Sequence, residues 1–172
     1  MAQTISPSEL VACLSGIRVM LNWKRMFEEG WNYSVVLLKK KCELSSLCMP
    51  WYVFNGNQTE HTCSGAEPVT VGNAAQDISV WQSDRRDGIT KYAAQFQAVV
   101  TATNEPIRIA LPAYRLPDKA GESKWLLLDG NHRAVGLVRT NVRFEVTLFS
   151  IDGPVDENAL PDLIHWKSDE VD

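Results

Sequence analysis

The sequence lacks a CxxC pair, a long uninterrupted apolar run and a strong excess of charge of either sign. Its four cysteines, Cys13, Cys42, Cys48 and Cys63, stand singly, which excludes a thioredoxin-type redox motif. No secretory signal precedes them, so reduced thiols in a cytoplasmic protein are the expectation. The apolar stretch Leu10–Leu21 is interrupted by Arg18, followed by Lys24 and Arg25, and too short to cross a bilayer. No membrane insertion is expected, and the Asn57-Gln58-Thr59 sequon has no meaning without export. A formal charge of −4 excludes a globally basic surface, so any contact with DNA needs a local basic patch.

What the sequence contains is the material of one domain. Its 172 residues, 45% of them hydrophobic, suffice to bury a core without disulfide or metal staples. The expected fold class is α/β (α+β), a small mixed sheet with helices and a helical N-terminal region. Ser6-Pro7-Ser8-Glu9 reads as a capping box, with Ser6 accepting from the first turn and Glu9 reaching back. It predicts helix in part of 7–29, with Gly16 interrupting the pattern and Gly30 stopping it. Tyr33–Leu38 reads equally as strand or helix. Turn residues between Asn55 and Gly72 mark an exposed connection and the best internal boundary. On that division, 1–70 is a mainly helical elaboration and 71–172 the core of the same domain. The acidic tail Ser168–Asp172 should fray.

The second half is more legible. Tyr92, Phe96 and Val99 give Ile89–Val100 one apolar helical face. Ile107–Leu111 alternates as a strand, and Trp125–Leu128 is an apolar run of the length of a buried central strand. An Asp-Gly turn, a short helix His132–Arg139 and an alternating strand Phe144–Phe149 follow. The order is helix, strand, strand, helix, strand.

The turn Asp129-Gly130-Asn131-His132-Arg133 is where chemistry is expected. A strand that passes into a helix within so few residues leaves unpaired N–H groups at the helix start, which favour anions. Gly130 allows close approach, and His132 and Arg133 add donors suited to phosphate oxygens. The same letters also read as ordinary turn punctuation, with Asp129 an N-cap and Arg133 a solvated helix residue.

Residues 89–151 resemble the core of the ParB/sulfiredoxin superfamily in the order of elements and in short motifs. Gly130-Asn131-His132-Arg133 is similar to the Gly-Cys-His-Arg turn with which sulfiredoxins hold ATP phosphates. Arg133-Ala134 is similar to the end of the Arg-Arg-x-Arg-Ala box of partition proteins, and Gln82 with Arg85 and Arg86 to the Gln-x-Arg element before the helix. Asn131 stands where sulfiredoxins have their catalytic cysteine, which excludes thiol-based repair of peroxiredoxins at that position. With its size and extra N-terminal region, the chain most resembles the plasmid fertility-inhibition factors of the oncogenic-suppression type. That resemblance implies ATP binding and hydrolysis, DNA cleavage, and a block on DNA passing through a type IV secretion channel. In it, Gly130, Asn131 and His132 cradle phosphates and Arg133 stabilises developing charge. Asp129 positions the turn or a Mg²⁺-bound water, and Gln82, Arg85 and Arg86 contact phosphate or DNA.

Other constellations are weaker. Cys48, His61 and Cys63 match no common zinc spacing, and Asp84, Asp87 and Asp129 offer a Mg²⁺ site only if folding gathers them. The six tryptophans are candidates for base stacking at a groove, for core, or for partner surface. His165-Trp166 is a candidate partner anchor. The rival functional reading is a non-catalytic protein that docks on a secretion or partition component, presenting an apolar patch from the tryptophan-rich first half.

Overall fold

The computed structural model describes residues 3–4, 6–14, 23–116 and 124–154. Ser168–Asp172 and His165-Trp166 lie outside the described residues. In chain order the elements are β1 (Gln3–Thr4), α1 (Pro7–Leu14), α2 (Trp23–Glu28), β2 (Asn32–Leu38), α3 (Lys41–Ser45), β3 (Cys48–Phe54), β4 (Asn57–Thr59), β5 (Glu67–Thr70) and α4 (Val71–Gln76). A single 3-10 turn, Ile78–Val80, leads to α5 (Ser83–Thr103), β6 (Ile107–Leu116), β7 (Lys124–Leu127), α6 (Asn131–Arg139) and β8 (Phe144–Asp152).

Among the described residues the strands form one mixed eight-stranded sheet in the order β1-β2-β8-β6-β7-β3-β4, with β5 paired to β3 off this path. Strands β6 and β8 run parallel over Ile107↔Phe144 to Tyr114↔Ile151. Between β6 and β7 the pairing is antiparallel, from Ala113↔Leu127 to Leu116↔Lys124. The order α5-β6-β7-α6-β8 agrees with the helix, strand, strand, helix, strand order read from the sequence. The chain is thus a mixed α/β protein, and among its described residues no helix is long and apolar enough to cross a membrane.

Two expectations for the first part of the chain need correction. The region before residue 70 is not mainly helical, because β2, β3, β4 and β5 all lie in it and all join the sheet. Val35 and Val36 suit an extended chain, and β2 finds a partner in β8 through seven residue pairs, Asn32↔Asp152 to Leu38↔Val146. Nor is Asn55–Gly72 a boundary. Asn55 (φ 50°) and Gly56 (φ 74°) make the two-residue turn of the β3–β4 hairpin, while β3 itself pairs with β7 at Cys48↔Leu126. The capping box forms as read: Ser6 N–H donates to Glu9 Oε2 at 2.8 Å and Glu9 N–H to Ser6 Oγ at 3.3 Å.

Both faces of the sheet are covered. Along β6 and β8, Leu111, Ala113, Val146 and Leu148 pack with Val135, Leu137 and Ile89 of α6 and α5. Their neighbours of opposite parity, Tyr114, Leu116, Phe149 and Ile151, pack with Leu10 of α1 and Met26 of α2. Strand alternation sends successive side chains to opposite faces, so a strand covered on both sides must be apolar throughout. That explains the unbroken run in β7, where Leu127 belongs to the first cluster and Leu126 to the second.

The end of β7 is set by its neighbour. Leu128 N–H donates to the Pro112 carbonyl at 3.0 Å, but Pro112 has no N–H to return and the reciprocal bond cannot form. The ladder stops there and the chain turns out of the sheet. Leu111 is fully buried beneath this turn; a Cβ placed on Gly130 would come within 2.4 Å of its Cδ2. Leu111→Ala should therefore lower unfolding free energy by about 2–5 kcal/mol in denaturant titration, the range for deleting a buried leucine. A loss within about 0.5 kcal/mol, as at an exposed position, would mean the turn does not rest on it.

Candidate functional site

Gly130 caps α6 in a left-handed conformation, φ 82° and ψ 17°, with no side-chain cap on the helix. A side chain at this φ would be strained. Asp129 is not the N-cap; its Oδ1 instead accepts the Gly130 N–H at 2.6 Å, so it fixes the turn. The first bond into the helix runs from Ala134 N–H to the Gly130 carbonyl at 2.9 Å. The N–H groups of Asn131, His132 and Arg133 precede it, at the positive end of the helix dipole. Arg133 is half-buried and folds back over the turn, its Nη2 3.0 Å from where a Gly130 Cβ would sit.

Helix α5 supplies the opposite wall. Gly88 makes room for His132, since a Cβ at Gly88 would stand 2.6 Å from the imidazole Cδ2. From β3 comes Trp51, whose ring centroid lies 5.0 Å from that of His132, in edge-on contact. Trp51 also packs on Trp81, centroids 5.2 Å apart, and the Arg85 guanidinium lies over both indoles, its Cζ 4.8 Å from the Trp51 centroid and 5.8 Å from that of Trp81. Such contacts stabilise a cation by about 0.5–2 kcal/mol, more as water is excluded. Arg85 Nη1, His132 Nε2 and Asn131 Oδ1 are buried without a hydrogen-bond partner among the described residues.

The charges here act on one another. Burial works against the positive charge of Arg85, while Asp84 and Glu60 work in its favour. Burial also lowers the His132 pKa from its ordinary value of 6.5, and Arg85 lowers it further, against smaller opposing effects of Asp84 and Asp129. His132 is therefore a neutral imidazole at pH 7, able to accept a proton at Nε2.

Of the residues singled out in the sequence, Asp129, Gly130, Asn131, His132, Arg133 and Arg85 meet in this region. Gln82 and Arg86 are exposed at the start of α5, where the Gln82 N–H donates to Gln58 Oε1 at 2.9 Å and the Arg86 N–H to the Gln82 carbonyl at 3.0 Å. Among the described residues no group of three His, Cys, Asp or Glu side chains could hold a metal ion. That removes Asp84, Asp87 and Asp129 as a Mg²⁺ site and Cys48, His61 and Cys63 as a zinc site. Trp31, Trp51 and Trp81 are buried, so they neither stack bases nor form a docking patch. Sequence reading offered Trp51 and Trp81 as base-stacking, core or partner-surface residues, and they are core, but it did not connect them to Arg85 and His132. It missed Gly88 and Glu60, and for Gly88 the available signal was a glycine inside an alanine- and glutamine-rich helix, which weakens the helix and marks a close approach.

The chain matches no protein-family model, no curated protein and no solved structure.

The His132 pKa carries a pH signature. A histidine whose folded pKa lies below its unfolded value contributes stability above pH 6.5 that is lost as pH falls through the folded value. Between about pH 7.5 and pH 5, His132→Gln should thus lose less stability than wild type in paired denaturant titrations, because only the wild type must resist this protonation. Equal losses would mean that the imidazole titrates as a solvated one.

Proposed function

We propose that this chain binds the phosphates of a nucleotide, ATP in the first instance, at the start of α6, and hydrolyses it. The observation that carries the reading is the convergence of an uncapped helix start with two buried, unpartnered side-chain nitrogens, Arg85 Nη1 and His132 Nε2. Arg85 Nη1 is a buried donor without a partner, which is costly, and a phosphate satisfies it together with the N–H groups of the helix start, leaving His132 Nε2 free to accept a proton. The N–H groups of Asn131, His132 and Arg133 receive its oxygens, and Arg85 and Arg133 supply charge. Neutral His132 suits removal of a proton from an attacking water. The acids of the site do not gather as Mg²⁺ ligands, and no step is assigned to a resident metal.

On this reading the chain is a ParB/sulfiredoxin-type protein acting as a plasmid fertility-inhibition factor, with DNA cleavage as a second activity and a type IV secretion component as its target. Support comes from the element order α5-β6-β7-α6-β8 and from the Gly-x-His-Arg letters falling on the strand-to-helix turn. The docking alternative has less support, because Trp31 and Trp51, two of the tryptophans that were to provide its apolar patch, are in the core.

Two expectations follow from the place of Arg133 at the edge of the turn. In calorimetry, Arg133→Ala should bind ATP about 10- to 100-fold more weakly than wild type, the loss expected for a charged hydrogen bond to phosphate. Equal affinity would remove Arg133 from the site. The same variant should stay folded with a stability loss of about 1 kcal/mol or less, since the half-buried side chain gives up packing over the turn but no core volume. Its ATP hydrolysis should fall by roughly 10³-fold, as when a charge-stabilising arginine is lost, with plasmid nicking and inhibition of conjugative transfer falling too. If wild type blocks transfer yet neither hydrolyses ATP nor nicks DNA, inhibition proceeds by docking; if Arg133→Ala unfolds, the arginine is structural.

A further inference from the structure

We propose that Trp51 is the positioning residue of the phosphate site: one indole on β3 holds both Arg85 of α5 and His132 of α6 in place for the ligand. The inference rests on the phosphate reading above and goes beyond it in assigning this role to a residue outside the turn.

A half-buried guanidinium can be held in two ways. A carboxylate partner would fix Arg85 by consuming its N–H donors, because Arg and carboxylate pair through those hydrogen bonds. An aromatic ring holds the same cation by its electrostatic face and leaves the donors unused. Arg85 is held in the second way. Its Cζ lies 4.8 Å from the Trp51 centroid, and Nη1 is buried with no partner. Asp84 and Glu60 favour its charge without a hydrogen bond to it among the described residues.

His132 is fixed by the same ring from another side. The Trp51 and His132 planes meet at 65° with centroids 5.0 Å apart, and Gly88 closes on Cδ2 from α5. Rotation of the imidazole is thereby restricted while Nε2 keeps no partner. Trp51 is itself 5% exposed and backed by Trp81 at 5.2 Å, so it cannot shift without disturbing the core. One ring thus sets the separation of a cationic donor and a proton acceptor that belong to different helices.

The test uses the full chain with ATP, and with inorganic pyrophosphate to separate phosphate from base recognition. Trp51→Leu should weaken binding of both by about tenfold or more, while Trp51→Phe, which keeps an aromatic face, should stay within about threefold of wild type. Arg85→Gln should also weaken binding, and the losses in the double variant Trp51→Leu with Arg85→Gln should be less than multiplicative, since the tryptophan acts in part through the arginine. A folded Trp51→Leu that binds like wild type, or losses that multiply in the double variant, would overturn the proposal. Because Trp51→Leu also removes core volume, wild type labelled with 5-fluorotryptophan provides a second readout. Saturating ATP should shift the Trp51 fluorine resonance and leave that of Trp31, in the cluster on the other sheet face, in place; a stationary Trp51 signal at saturation overturns the proposal without any variant. If wild type binds neither ATP nor pyrophosphate, the phosphate reading itself falls, an outcome distinct from binding that ignores Trp51.

Discussion

A missing hydrogen-bond donor organises this molecule. Pro112 sits within β6, an interior strand, where proline is rarely tolerated. It is tolerated here because its nitrogen faces the place where β7 runs out. Leu128 gives the last ladder bond to the Pro112 carbonyl, and with no N–H to continue the pairing the chain must leave the sheet. Gly130 makes the departure sharp by taking φ 82° over Leu111. From this one interruption follow an uncapped start for α6 and the delivery of His132 beside α5. Had β7 continued, Asn131 and His132 would have been strand residues with their N–H groups spent on β6.

A second constraint concerns the cost of burying Arg85. An isolated cation taken out of water loses several kcal/mol of hydration, and a surface arginine would serve as well if only packing were needed. The chain places two tryptophans over it and keeps the carboxylates Asp84 and Glu60 near enough to favour its charge. Arginine remains charged under these conditions, so His132 yields instead and becomes the neutral member of the pair. The division of charge is thus decided by burial: one group cannot lose its proton, and its neighbour can.

These relations also mark what was legible in the sequence. The turn could be read because its signal is local, a four-residue apolar run followed by Asp-Gly at a change of period. Helix α5 and the strands after it could be read because each is long enough to show its own periodicity. β2 could not, since all of Tyr33–Leu38 pairs with β8, more than a hundred residues away. For the same reason the helical reading of the first part failed: its strands are short, and partners rather than propensity decide them. Within the site, the turn residues and Arg85 were readable as phosphate chemistry, but not the aromatic cage, because Trp51 lies on β3 and reaches Arg85 only in the folded chain. The surrounding acids conveyed little, since Asp87 and Asp129 look alike in sequence while only Asp129 binds the Gly130 N–H.

The local charge bears on which phosphate such a site would grip. Binding along a nucleic-acid strand draws its strength from neutralising several phosphates in a row and releasing their counterions. That requires a track of cations, and the chain carries a formal charge of −4. Around Arg85 and His132 the carboxylates of Glu60, Asp84 and Asp129 act on the same groups that would receive the ligand, which opposes a polyanion approaching over a broad front. A helix start needs no such track. Its field falls off within a turn, and its N–H groups serve one tetrahedral group at a time. With Arg85 and Arg133 added, the arrangement suits a single phosphate held deeply rather than many held at the surface. On the proposed reading, a nucleotide's phosphate is therefore the ligand the geometry favours most directly, and DNA would be engaged one phosphodiester at a time.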